Sequence, residues 1–140
     1  MSTNAKVLFL CTGNSCRSQM AEGLLRSLAA DRYEVFSAGT NPQALNQGAV
    51  RAMAELGIDI SEQKSQHVDE FLQAGITTVI TVCDNAKENC PIFPGAAKTI
   101  HWSFDDPAHA TGSDDDRMAV FRRVRDEISA ALCDWLDRTN

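Results

Sequence analysis

No apolar run in this 140-residue chain approaches the about 18 residues that a membrane-spanning helix needs. The opening segment Met1-Ser-Thr-Asn-Ala-Lys6 leads into only five apolar residues, Val7 to Cys11, too few for the core of a secretory signal. The chain is therefore expected to be cytoplasmic and to have no membrane partner. Surplus positive charge is also missing: 13 Lys and Arg face 19 Asp and Glu, a net charge of −6. Nucleic acid needs a basic face, so it is excluded as an expected partner. Any anion must be held locally, against the field of the whole molecule. Internal repeats and linkers are absent, so residues 1–140 are expected to form a single domain, acting as a monomer. With 44% hydrophobic and 23% charged residues, that domain can bury a sizeable core. The five cysteines do not read as a disulfide framework in a cytoplasmic chain. They are expected to be catalytic or metal-binding instead, except Cys133, which falls in a helical pattern and is expected to be structural.

What the chain does have is concentrated in Cys11-Thr12-Gly13-Asn14-Ser15-Cys16-Arg17-Ser18. This Cys-x5-Arg segment follows the apolar run Val7–Leu10 and precedes a helical pattern with Met20, Leu24 and Leu28 on one face. The order is strand, tight loop, helix. Such a loop aims successive backbone N–H groups at one point and sets a helix N-terminus behind them, and both attract an oxyanion. Cys11 then lies below the anion as a nucleophile, and Arg17 lies beside it as a planar fork able to hold two oxygens. Free cysteine is only about 3% thiolate at pH 7, and a cradle of N–H groups with a nearby cation is expected to lower its pKa. Ser18 can add a hydroxyl bond to the sulfur. Gly13 lets the loop turn, and Asn14 tolerates a positive φ while its side chain braces the loop. A purely structural cysteine at position 11 would leave Gly13, Asn14, Arg17 and Ser18 without a purpose. Cys16 reads as packing.

Strand signals fall at 6–10, 34–37, 77–82 and 99–102, separated by helical patterns. Ala44–Leu56 reads as a helix placing Val50 and Met53 together, with Gly57 as its C-cap. His67–Gln73 reads as a short helix ended by Ala74-Gly75. A long helix is expected over Asp114–Asp137, with Ser113 and Asp116 spaced as a capping box and a buried stripe of Phe121, Val124, Ile128, Leu132 and Trp135. Strands alternating with helices imply an α/β fold: one doubly wound domain with a four-stranded parallel sheet flanked by helices. Ligands bind such sheets at the carboxyl ends of the strands. Cys11, Cys83 and the Asp105-Asp106 segment all follow strands, so one end of the sheet can gather them.

Cys83 and Cys90 are joined by a polar, turn-prone segment short enough for a bridge. The pair is also compatible with half of a zinc site completed by His67, His101 or His109, although no second close Cys/His pair exists. Plain buried thiols are a third reading. Asp105-Asp106-Pro107 is either a surface turn or the source of a carboxylic acid that protonates a leaving oxygen beside Cys11.

The Cys11–Ser18 loop, Asp106-Pro107 and the strand–helix order resemble the low-molecular-weight protein tyrosine phosphatases along nearly the whole chain. Cys16–Gly23, Ser37-Ala-Gly39, Gly57–Ser61, Asn89–Ile92 and His101-Trp102 with Phe104–Pro107 resemble one branch of that fold, the thioredoxin-coupled arsenate reductases. The resemblance implies a three-thiol relay. Cys11 attacks arsenate held by Thr12, Gly13, Asn14, Ser15, Cys16, Arg17 and Ser18, and Asp106 protonates the leaving oxygen. Cys83 attacks the adduct, releases arsenite and leaves a Cys11–Cys83 bridge. Cys90 resolves it to Cys83–Cys90, which thioredoxin reduces. Phosphate and sulfate are expected to mimic the substrate, weak phosphatase activity is expected beside the reduction, and no bound cofactor or metal is expected. Some family members hold potassium with side chains corresponding to Asn14, Glu22 and a carboxylate at position 66. Here position 66 is Gln, and Lys64 is expected to supply the charge instead. The rivals are a phosphatase and a non-catalytic oxyanion or redox sensor. Against the phosphatase, Gln19 replaces a usual Pro, and Pro107-Ala108-His109 lacks aromatic residues to grip a tyrosyl ring.

Overall fold

The computed structural model describes residues 5–83 and 98–139. Strand β1 (Ala5–Cys11) leads through the cysteine loop into α1 (Arg17–Ala29) and then β2 (Tyr33–Gly39). Helix α2 (Gln47–Ala54), a single 3₁₀ turn (Val68–Phe71), β3 (Thr78–Thr81) and β4 (Lys98–His101) follow. A second 3₁₀ turn (Pro107–His109) precedes α3 (Asp114–Thr139). The strands form one sheet in the order β2-β1-β3-β4, and every pairing is parallel. Side chains alternate between sheet faces along a strand. Val7, Leu8, Phe9 and Leu10 are nonetheless all inaccessible, so both faces of β1 are covered, as a parallel sheet requires. Among the described residues no helix is long and apolar enough to cross a membrane.

The long helix forms as its pattern demands. Asp116 N–H donates to Ser113 Oγ and Ser113 N–H donates to Asp116 Oδ2, each at 3.1 Å, which closes the capping box. Phe121, Val124, Ile128, Leu132 and Trp135 all face the core. Cys133 lies off that stripe and is exposed, so it has no packing role.

Three local expectations are corrected. Leu28 is 46% exposed, because the stripe that stays in the core runs through Ala21, Leu25 and Ala29. Helix α2 begins at Gln47 rather than Ala44, because Asn46 caps it: its side chain accepts from Gly48 N–H at 2.8 Å and Ala49 N–H at 3.4 Å. The segment before Asn46 has another task, described below. The helix expected at 67–73 is only the four-residue 3₁₀ turn, capped by His67 and Glu70.

Candidate active site

Strand β1 delivers Cys11 to the carboxyl end of the sheet, and α1 starts six residues later at Arg17. Between them the chain wraps around one point. Asn14 N–H points at Cys11 Sγ from 3.1 Å, and Ser18 Oγ lies 2.9 Å from the same sulfur. Asn14 takes φ +48, the left-handed region that asparagine tolerates best among residues with a Cβ. No side chain caps the start of α1, so its first N–H groups face the loop.

A loop with its N–H groups inward must send its carbonyl groups outward, and buried carbonyls need donors. The segment after β2 supplies them. Thr40, Asn41, Gln43 and Asn46 N–H donate to the carbonyls of Cys11, Thr12, Gly13 and Ser15 at 3.2, 2.8, 2.7 and 2.8 Å. Asn14 carbonyl accepts from Ser65 Oγ at 2.7 Å and from Gln19 Nε2 at 2.9 Å. Gln19 is fully buried and also donates to Lys64 carbonyl at 3.0 Å. These supporting residues are not legible in the sequence, because backbone donors carry no residue signature and Gln19 and Ser65 lie far from each other in the chain.

The loop floors a cavity of about 580 Å³ lined by Cys11, Thr12, Gly13, Ser15, Cys16, Arg17, Gln43, Cys83, Asp106, Ala108 and His109. The sheet thus gathers Cys11, Cys83 and Asp106 at one end. Thr12 Oγ1 lies 3.4 Å from Cys83 Sγ, which sets the second thiol on the cavity wall just past β3. Asn14 and Ser18 are fully buried behind the nucleophile and do not line the cavity. Cys90 lies outside the described residues. Arg17 donates from Nη1 to Phe104 carbonyl at 3.0 Å, and its Nη2 is 3.5 Å from Asp106 Oδ2. Asp106 also accepts from Ala108 N–H at 3.0 Å and has His109 Nε2 at 3.6 Å. Its neighbour Asp105 turns outward and pairs with Arg123 at 3.0 Å.

Electrostatics depart from the sequence expectation at one point. Burial pushes the Cys11 thiol up, against the downward pull of Ser18, the backbone N–H groups and Arg17. The sequence shows the donors but not the depth of the sulfur. Burial and the nearby Asp106 also raise Cys16, which stays a neutral thiol packed in the loop.

Lys64 does not supply the charge near Glu22. It is exposed, and Arg26, one turn along α1, takes that place with Nη2 2.6 Å from Glu22 Oε2. The spacing i, i+4 makes this pair local, which is why it forms in preference to a reach across from position 64. The histidines serve elsewhere. His67 caps its turn, His101 Nδ1 lies 2.7 Å from Thr81 Oγ1, and His109 stands at the cavity mouth. Among the described residues, no group of three or more His, Cys, Asp or Glu could hold a metal ion.

Residues 6–140 match the model of the low molecular weight phosphotyrosine protein phosphatase family. The chain is 52% identical over 130 residues to an arsenate reductase of Halalkalibacterium halodurans, covering 92% of this chain and 94% of that protein. It is 46% identical over 134 residues to an arsenate reductase of Bacillus subtilis (strain 168), covering 96% of each. A solved structure of an arsenate reductase in the phosphate binding state superposes with a TM-score of 0.84 at 31% identity, covering 97% of this chain and 99% of that one.

Proposed function

This chain belongs to the low molecular weight phosphotyrosine protein phosphatase family, and from that membership we propose that it is an arsenate reductase working through Cys11, Cys83 and Cys90. Its similarity to arsenate reductases over nearly their whole length supports the reaction. The observation that carries the reading is the second thiol: Cys83 opens onto the same cavity as Cys11. Ester hydrolysis has no use for a thiol there, whereas reduction needs two electrons, which two thiols supply on becoming a disulfide.

Arsenate lies in the N–H cradle with two oxygens on Arg17. The buried Cys11 loses its proton as the oxyanion arrives, because a doubly charged arsenate against Sγ is itself a base. The thiolate displaces one arsenate oxygen, and Asp106 supplies the proton with which that oxygen departs as water. Arsenic is still in its +5 state at this point. Cys83 thiolate then attacks Cys11 Sγ. The S–S bond forms, the S–As bond breaks, and its electron pair stays on arsenic, which leaves as +3 arsenite. Two thiols have been oxidised to one disulfide, which balances the electrons. Cys90 thiolate attacks Cys83, frees Cys11 and leaves Cys83–Cys90 for thioredoxin to reduce. No bound cofactor or metal enters this scheme, and the expected setting is the cytoplasm, with the chain a monomer.

The test is NADPH oxidation by the purified protein with arsenate, thioredoxin and thioredoxin reductase. Arsenate-dependent oxidation that Cys11→Ser or Cys83→Ser abolishes supports the proposal. Hydrolysis of an aryl phosphate at high rate, with no arsenate-dependent oxidation, would make the chain a phosphatase instead.

A further inference from the structure

We infer that Arg26 is a positioning residue for the Cys11 nucleophile, acting at a distance through Glu22, Ser37 and Asn14. The proposal rests on Cys11 being the nucleophile of the reaction above, and its test is chosen to be read without turnover.

The orientation of each hydrogen bond follows from counting donors. Gln66 N–H donates to Asn14 Oδ1 at 2.8 Å, which identifies the oxygen of that amide. Asn14 Nδ2 must therefore spend its two hydrogens on Ser18 Oγ and Ser37 Oγ, each 2.9 Å away. Each serine, having accepted one hydrogen, has its own proton left for its other neighbour. Ser18 aims it at Cys11 Sγ, 2.9 Å away, and Ser37 aims it at Glu22 Oε1, 2.5 Å away. Asn14, Ser18 and Ser37 are essentially inaccessible and Glu22 is only 8% exposed, so water cannot replace these partners.

The chain runs in these directions only while Glu22 keeps an acceptor oxygen on Ser37. A buried carboxylate needs a counter-charge. Arg26 is the residue that supplies it, and its guanidinium is held for the purpose. Nη2 donates to Glu22 Oε2 at 2.6 Å and to Val35 carbonyl at 2.7 Å, while Nη1 donates to Gln63 Oε1 at 3.2 Å. Helix α1, strand β2 and the segment before the first 3₁₀ turn are thus tied at one point. The far end of that tie is Asn14, whose left-handed backbone aims its N–H at the thiol sulfur. Without Arg26 the carboxylate is buried with no counter-charge and is drawn toward water, away from Ser37, so that Asn14 loses one of the anchors that keep its N–H and the Ser18 hydroxyl on Sγ.

The experiment measures iodoacetamide alkylation of Cys11 against pH, resolved by peptide mass spectrometry. It compares wild type, Arg26→Met, Arg26→Lys, and Arg26→Met combined with Glu22→Gln. Arg26→Met is expected to shift the Cys11 profile up by about one pH unit, so that alkylation near pH 7 slows about tenfold. Arg26→Lys is expected to stay within about threefold of wild type. The double variant is expected to recover most of the loss, because a neutral amide at position 22 still accepts from Ser37 and needs no cation. A residue that only packs α1 against β2 would not be rescued by a change at position 22. A wild-type profile in Arg26→Met, or a double variant no better than the single one, overturns the proposal. If Arg26→Met does not fold, the lysine and double variants still decide: a profile shifted in both as far as one unit overturns it. A wild type that shows the alkylation pattern but no arsenate-dependent NADPH oxidation refutes the proposed function and leaves the positioning role standing.

Discussion

Gly39 ends β2 directly beside Cys11, its register partner on β1. A Cβ on Gly39 would stand 2.5 Å from Thr12 carbonyl oxygen, 2.9 Å from Asn14 N and 3.0 Å from Asn14 Cβ. Two of these are backbone atoms of the cradle, so no rotamer change can relieve the overlap. Even a close C–H···O contact needs about 3.3 Å, so the Thr12 carbonyl must retreat by about 0.8 Å from its 2.5 Å position. Overpacking of this kind costs about 1–3 kcal/mol. For a chain of 140 residues that is a fall in Tm of about 3–10 °C. The effect on turnover should be larger, since a misplacement of about 1 Å at a reacting centre costs about 10²-fold. Gly39→Ala is therefore expected to reduce arsenate turnover about 10²-fold in a protein that still folds. Gly57→Ala is the control. Gly57 has φ +76 and open space where the Cβ would go, so alanine costs about 1–2 kcal/mol of backbone strain and touches nothing in the cradle. Melting curves and the coupled NADPH assay on both variants separate the two effects. A Gly39→Ala protein with turnover within threefold of wild type would refute the view that this contact sets the cradle's shape.

Asp106→Asn is expected to slow the first chemical step by about 10²–10⁴-fold, measured in a single turnover. Asp105→Asn should stay within about threefold, because Asp105 is 74% exposed and paired outward with Arg123; equal losses would reverse the assignment. Cys90→Ser is expected to complete one turnover and stall with a Cys11–Cys83 bridge visible by mass spectrometry, and continued cycling would remove Cys90 from the relay. The Arg122 fork, assisted by Arg125, holds Glu55 well below its ordinary value, at about 2. A carboxylate depressed in the folded state stabilises it above the unfolded value of about 4.3, and that contribution is lost as pH falls towards 2. The Tm gap between wild type and Glu55→Gln should thus be widest near neutral pH and close by about pH 2. A gap that stays constant with pH would assign Glu55 another role.

Short-range order was legible in the residues themselves. The Cys11–Arg17 spacing follows an apolar run and opens a helix, and the turn this forces depends only on neighbours within a few positions. The Ser113–Asp116 box and the stripe from Phe121 to Trp135 belong to one helix with a fixed period, so they too can be read locally. The parallel sheet followed from alternation alone, and with it the gathering of Cys11, Cys83 and Asp106 at one end of the strands.

What needed the tertiary structure were choices between neighbours and contacts between distant segments. Asp105 and Asp106 are equivalent as letters, and only the turn after β4 sends one inward to Arg17 and the other outward to Arg123. The segment ending at Asn46 looked helical because its composition suits a helix, but its N–H groups are drawn to the carbonyls of the cysteine loop, a competing set of partners invisible to local propensity. On α1, Met20 and Leu24 are buried as their spacing implies while Leu28 is exposed, because the depth of burial along a face depends on what packs there, not on the period. Lys64 and Arg26 offered the same charge, and the i, i+4 geometry of α1 together with the carbonyl of Val35 decided between them. Sequence determines which chemical groups are present and how nearby ones are spaced. The depth of Cys11, and with it the upward push on its thiol, depends on the whole fold, because desolvation is set by every atom that excludes water from the sulfur.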